Sequence, residues 1–249
     1  MFGKFLCVVA MVSALGLVAR PAGAVPFTAS GTGNNGELLS ASADFSVSGS
    51  NLTVILTNTS TADVNDPPDI LTAVFFTLAG NPTLTPVSAL LSGGSVVFFG
   101  PNGGGNVGGE WAYGNGLVGA PGGANKGISS AGFGLFGSGN RFGATNLQGP
   151  AAVDGLQYGL TSAGDNTATG NAPVTGGNAL IKNQVTFILS GLPTGFNPST
   201  AISNVSFQYG TALTDTNVPA TPVPEPASVL LLGSGLASLG LLGRRQRKN

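Results

Sequence analysis

The side chains of this chain that could do chemistry are few, and most of them are carboxylates. There is no histidine anywhere in the sequence. A Ser-His-Asp triad, a Cys-His pair and imidazole metal ligation are therefore excluded. Glycoside hydrolysis needs only two carboxyl groups, and Glu110 with Asp154 or Asp165 supplies the residue types, although nothing in their spacing selects a pair. The reading adopted is that the protein is not an enzyme. Asp63, Asp66 and Asp69, with Asn65 among them, offer the hard oxygen ligands that Ca2+ takes. Their spacing lacks the alternating carboxylates, central glycine and distal glutamate of an EF-hand loop, so a solvated proline-rich turn competes with a calcium site. Trp111 and Tyr113, flanked by Glu110, could stack a sugar ring on an aromatic face; the competing reading is that they pin glycine-rich loops onto the body. The glycines at 103–109 are followed by no Gly-Lys-Ser or Gly-Lys-Thr, and a phosphate loop is rejected.

Charge and cysteine usage narrow the class further. Between Val25 and Val223 three basic residues (Lys126, Arg141, Lys182) face nine acidic ones, a net of −6 that the whole-chain value of −1 conceals. Nucleic acid, which requires a basic footprint, is not an expected partner. The single cysteine, Cys7, lies in a segment with Lys4, an apolar run from Phe5 to Ala19 and Ala22-Gly-Ala24. That arrangement reads as a secretory signal peptide over residues 1–24, cut after Ala24 by the Sec-type export route. The mature chain then has no thiol, hence no disulfide and no thiolate site.

The elements that must position these residues read as strands. Residues 25–36 form a polar lead-in. Glu37 to Val47 alternates, with Leu39, Ala41, Ala43, Phe45 and Val47 on one side and Ser40, Ser42, Asp44 and Ser46 on the other. Gly49-Ser-Asn51 turns the chain into Leu52–Thr57, completing a hairpin. Ile70–Leu78 is apolar on both faces, as in a central strand. Leu84–Leu91, Val96–Phe99 and Val153–Leu160 are shorter candidates, and Ala179–Leu189 with Ile202–Tyr209 is expected to form a second hairpin that pairs with the first. The expected body, 37–210, is an all-β, antiparallel, jelly-roll-like β-sandwich with long Gly-rich loops, followed by a linker at 211–222.

The C-terminal stretch has three parts in order. Val223-Pro-Glu-Pro226 precedes an uncharged Leu/Gly-rich run from Ala227 to Gly243, and Arg244, Arg245, Arg247 and Lys248 close the tail. As a helix the run spans about 25 Å, short for a hydrocarbon core of about 30 Å. The basic stop favours the cytoplasmic side. Together these residues resemble the PEP-CTERM sorting signal, covering about the last tenth of the chain. The resemblance implies a C-terminal transmembrane helix in the inner membrane of a Gram-negative-type bacterium, recognition by an exosortase, and cleavage near Pro224, Glu225 and Pro226. It also implies release to the cell surface or extracellular matrix, with a structural or adhesive role linked to exopolysaccharide or biofilm. A carbohydrate- or calcium-binding surface module is the alternative, and a glycosidase the remote one.

Overall fold

Period-two sequence becomes period-two burial in the first hairpin. The computed structural model describes residues 23–224 except 138–139, 144–146, 148–152 and 154; the expected signal peptide up to Ala22, the apolar run and the basic stop lie outside the described residues. Its strands are β1 (Val25–Thr32), β2 (Leu38–Ser48), β3 (Asn51–Asn58), β4 (Leu71–Leu78), β5 (Thr85–Phe98), β6 (Ala112–Asn115), β7 (Lys126–Ser129), β8 (Leu160–Thr161), β9 (Leu180–Ser190), β10 (Ile202–Tyr209), β11 (Asn217–Pro219) and β12 (Thr221–Pro222). In β2, Leu39, Ala41, Ala43 and Phe45 are buried; β3 buries Leu52, Val54 and Leu56 opposite them. Gly49, at φ 59, takes the left-handed position of the two-residue turn between them. β4 is buried along both faces apart from Thr77, as its unbroken apolar run requires.

The strands expected in a two-layer sandwich are hydrogen-bonded into one mixed sheet, ordered β11-β10-β4-β8-β9-β3-β2-β1-β12. β8 makes the join, pairing antiparallel with β4 and parallel with β9. β5 lies along β9, and β6 and β7 extend from β4. Inner faces from opposite parts of the sheet meet in one core, where Phe45 packs edge-on against Phe27 and Phe76 at 5.7 and 5.2 Å. Burying each such large apolar side chain stabilises by about 1.5–3 kcal/mol. Among the described residues no helix is long and apolar enough to cross a membrane.

Five expectations change on contact with this sheet. The polar lead-in supplies β1, because Val25, Phe27 and Ala29 face inward beside Phe45, Ala43 and Ala41 despite the intervening Pro26 and Thr28. The two candidates at 84–91 and 96–99 are one strand, β5, broken by a register shift between Ser92 and Val96. Only Leu160–Thr161 of the region after Val153 is strand. The second hairpin does not form. The connection 191–201 is far longer than a tight hairpin turn and carries a helical turn at Pro198–Ala201, so β10 pairs with β4 while β9 pairs with β3 and β5. Finally, the expected linker holds β11 and β12. Its prolines, Pro219 and Pro222, sit in very short outer strands where a missing N–H is tolerated.

Glycine-rich connections pack closely against this frame. A Cβ on Gly108 would lie 2.3 Å from the carbonyl oxygen of Phe142, a main-chain atom that cannot swing aside. Gly108→Ala is expected to lower stability by about 1–3 kcal/mol. Gly164→Ala, where nothing lies within 4 Å, should stay within about 0.5 kcal/mol in the same thermal melts.

Candidate functional site

The acidic loop before β4 holds itself together rather than opening toward a ligand. Asp63 accepts hydrogen bonds from the Asn166 N–H at 3.1 Å and from the Thr169 hydroxyl at 3.3 Å. Asp66 accepts from the side-chain amides of Asn35 and Asn171. Asp69, buried at the end of the Pro67–Asp69 3-10 turn, accepts the N–H groups of Asn65 and Asp66, each at 3.0 Å. Its other partner is the carboxyl of Glu37, and a hydrogen bond between two carboxyls requires a proton on one of them. Burial, then that bond, pushes the Asp69 carboxyl up to about 6, against the pull of the two N–H groups. The three expected calcium ligands thus face three different sets of partners. Among the described residues, no three acidic side chains converge to hold a metal ion.

The aromatic platform is buried. Trp111 is 0 % exposed and Tyr113 1 %. The indole packs on Phe187 with ring centroids 4.9 Å apart, and Phe142 closes the other approach to Phe187 at 5.3 Å. A sugar ring cannot reach either face. Glu110 is buried beside them; burial raises its pKa, and the charge of Arg141 only partly offsets this. Asp165 accepts the Val64 N–H at 2.9 Å, and Asp154 lies outside the described residues. Lys126, one of the three basic residues counted in the charge balance, is wholly buried, with its ammonium donating to the side-chain oxygens of Asn81 and Asn115. Burial lowers its pKa.

What the sheet does present outward is a row of small polar groups. Cross-strand register places Ser92 (β5), Gln184 (β9), Thr57 (β3), Ser42 (β2), Thr28 (β1) and Thr221 (β12) side by side. Five strand spacings of about 4.8 Å make this row roughly 24 Å long. None of its members is charged. The Gln184 amide and the Thr186 hydroxyl both donate to the Ser92 hydroxyl, at 2.9 and 2.8 Å. At the β1 end the row opens on a shallow groove of about 460 Å³, lined by Thr28, Ser30, Ser40, Thr59, Pro219 and Thr221. A second groove of about 370 Å³ continues past Ser30 and Ser40 to Thr61. Each hydroxyl can both donate and accept, which suits hydrated, uncharged ligands. Sequence reasoning found the alternating hydroxyls of single strands, but the alignment of six strands into one row needed the register.

The row ends where the chain turns toward its tail. Thr221 pairs with Thr28 and Pro222 with Phe27, and the Val223 N–H donates to the Pro26 carbonyl at 2.9 Å. Pro224, exposed, follows at once. Residues 222–248 match the family model of the PEP-CTERM protein-sorting motif. The tail is a PEP-CTERM sorting motif. Comparison with curated proteins and with solved structures finds no match. The PEP-CTERM motif marks an exported, exosortase-targeted protein of Gram-negative-type bacteria, processed at the membrane. It accounts for the tail alone, about a tenth of the chain, and Glu225 to Lys248 of the PEP-CTERM match lie outside the described residues.

Proposed function

We propose that the body is a non-catalytic component of the cell surface or extracellular matrix, associating with neutral extracellular polysaccharide through the outward row from Ser92 to Thr221. The observation that carries this reading is the row itself: an uncharged line of hydroxyl and amide groups crossing six strands. The body's acidic balance disfavours a polyanionic partner, whereas polyhydroxylated chains match side chains that donate and accept alike. In this reading Met1–Ala24 is removed during Sec-type export, Ala227–Gly243 spans the inner membrane with the basic stop on the cytoplasmic side, and the exosortase then frees the body.

Thr28→Val, Ser42→Ala and Thr57→Val combined remove three hydroxyls while keeping side chains compatible with strands. The triple variant is expected to co-sediment with purified exopolysaccharide of the producing bacterium about tenfold less, the equivalent of one or two lost hydrogen bonds. Its melting temperature should stay unchanged. An unaltered bound fraction would overturn the assignment.

A further inference from the structure

Where glycine follows asparagine, the main-chain nitrogen can attack the side-chain amide, because no Cβ shields its approach. The chain has three such pairs, Asn35-Gly36, Asn102-Gly103 and Asn115-Gly116. Their surroundings differ. Asn35 donates its amide to the Asp66 carboxylate at 3.1 Å, and the Gly36 N–H is tied to the Gly33 carbonyl at 3.1 Å. Asn102 accepts a neutral donor, the Gly104 N–H, at 3.1 Å. Asn115 stands at the exposed end of β6, opposite Lys126 of β7. Gly116 turns away at φ 66 with open space around it, and its N–H makes no hydrogen bond among the described residues. The Asn115 Oδ1 accepts from the Lys126 ammonium and, at 3.4 Å, from the Tyr113 hydroxyl.

From the lysine's side the arrangement is incomplete. Lys126 is wholly buried, yet its ammonium meets only the amide oxygens of Asn81 and Asn115. Burial lowers its pKa, and no opposite charge among the described residues holds it up. We propose that Asn115 is a self-modification site, which converts spontaneously to a carboxylate, in aspartyl or isoaspartyl linkage, that pairs with Lys126. The Gly116 nitrogen gives up its proton and bonds to Cγ of Asn115; the Cγ–Nδ2 bond breaks, and ammonia leaves with that proton. Water then opens the cyclic imide at either carbonyl and restores an N–H, so water alone is consumed. Negative charge develops on Oδ1 during the attack, where Lys126 and Tyr113 already donate. At Asn35 the neighbouring charge is negative and opposes the same step.

Detergent-solubilised full chain, kept in warm neutral buffer and sampled over several weeks, tests this by peptide mapping with mass spectrometry, which reads the three asparagines separately. Conversion at Asn115 is expected to run about tenfold ahead of Asn35 and Asn102, the factor that one added charged donor supplies. An Asn115 that stays an amide throughout, or that converts after either of the others, overturns the proposal. Lys126→Met, apolar and of similar length, should bring Asn115 back to the pace of the other two. An unchanged pace there traces the reactivity to Gly116 alone and overturns the role of Lys126. The order of the three sites is read on the parent sequence, so it decides the matter even where that variant does not fold. Asn115→Asp installs the product and should melt above the parent at neutral pH; an equal or lower melting temperature counts against the pairing with Lys126.

Discussion

Trp111→Ala is expected to cost about 3–5 kcal/mol of folding stability, the range for emptying a large buried aromatic site. The indole is fully buried, tilted at 57° on Phe187, in the same core as Phe142, Tyr113 and Ile128. Removing it leaves a void beside Phe187 of β9, and the dispersion contacts of that ring go with it. Urea melts measure the loss directly. The competing picture, an exposed stacking platform, predicts a variant that melts like the parent and loses only ligand. A change under about 0.5 kcal/mol, the scale of surface substitutions, would therefore restore that picture. Trp111→Phe refills most of the volume and should recover more than half of the loss. Among the described residues the indole N–H has no hydrogen-bond partner, so the substitution sacrifices no polar contact there.

Asp69→Asn is expected to stabilise the protein at pH 8 by about 2–3 kcal/mol and to be neutral at pH 4. The sign follows from linkage. Asp69 keeps its proton up to about pH 6 in the folded state, against an ordinary value of 3.8 in the unfolded chain. Its contribution to stability is fully present below 3.8, decays as pH rises, and is lost above about 6. About two pKa units correspond to roughly 3 kcal/mol. The charged groups around it are Glu37, whose carboxyl it contacts, and Asp66 at the start of the same turn; the N–H groups of Asn65 and Asp66 favour the ionised form but do not win. Asparagine keeps an oxygen for both N–H groups, offers an amide N–H to Glu37 and never ionises. Urea melts of parent and variant from pH 4 to 8 give the difference, and a gap that does not vary with pH would refute the account.

Strands whose alternation is carried by Leu, Val, Ile and Phe were legible from the sequence: β2, β3, β4 and β9 stand where their patterns put them. β1, β11 and β12 were not. Their inward positions are partly Ala, Gly and Pro, and pairing with a distant strand supplies the stabilisation that local composition lacks. The β9–β10 pairing failed because two good strand patterns say nothing of partner choice when the connection between them is long. The candidate site was less legible still. Asp63 and Asp66 are bound by Asn166 and Asn171, roughly a hundred residues away, and no local spacing reveals such partners. The burial of Trp111, Tyr113 and Lys126 depends on glycine-rich connections folding over the sheet. The sorting motif is the opposite case, a signal written entirely in contiguous residues.

The double glycine in β5 bears on how two copies of this protein can meet. Gly93 and Gly94 both take positive φ, and the ladder to β9 slips there between Ser92 and Val96. On the strand's other side, Val107 and Asn106 occupy Ala89 and Leu90. A long flat margin bearing Val87, Leu90 and Val96 would be a template on which further copies could add as fibres. The kink and the short occupied stretch divide that margin into pieces too brief to recruit a neighbour. This margin of the sheet is therefore a poor template for the backbone of a second copy.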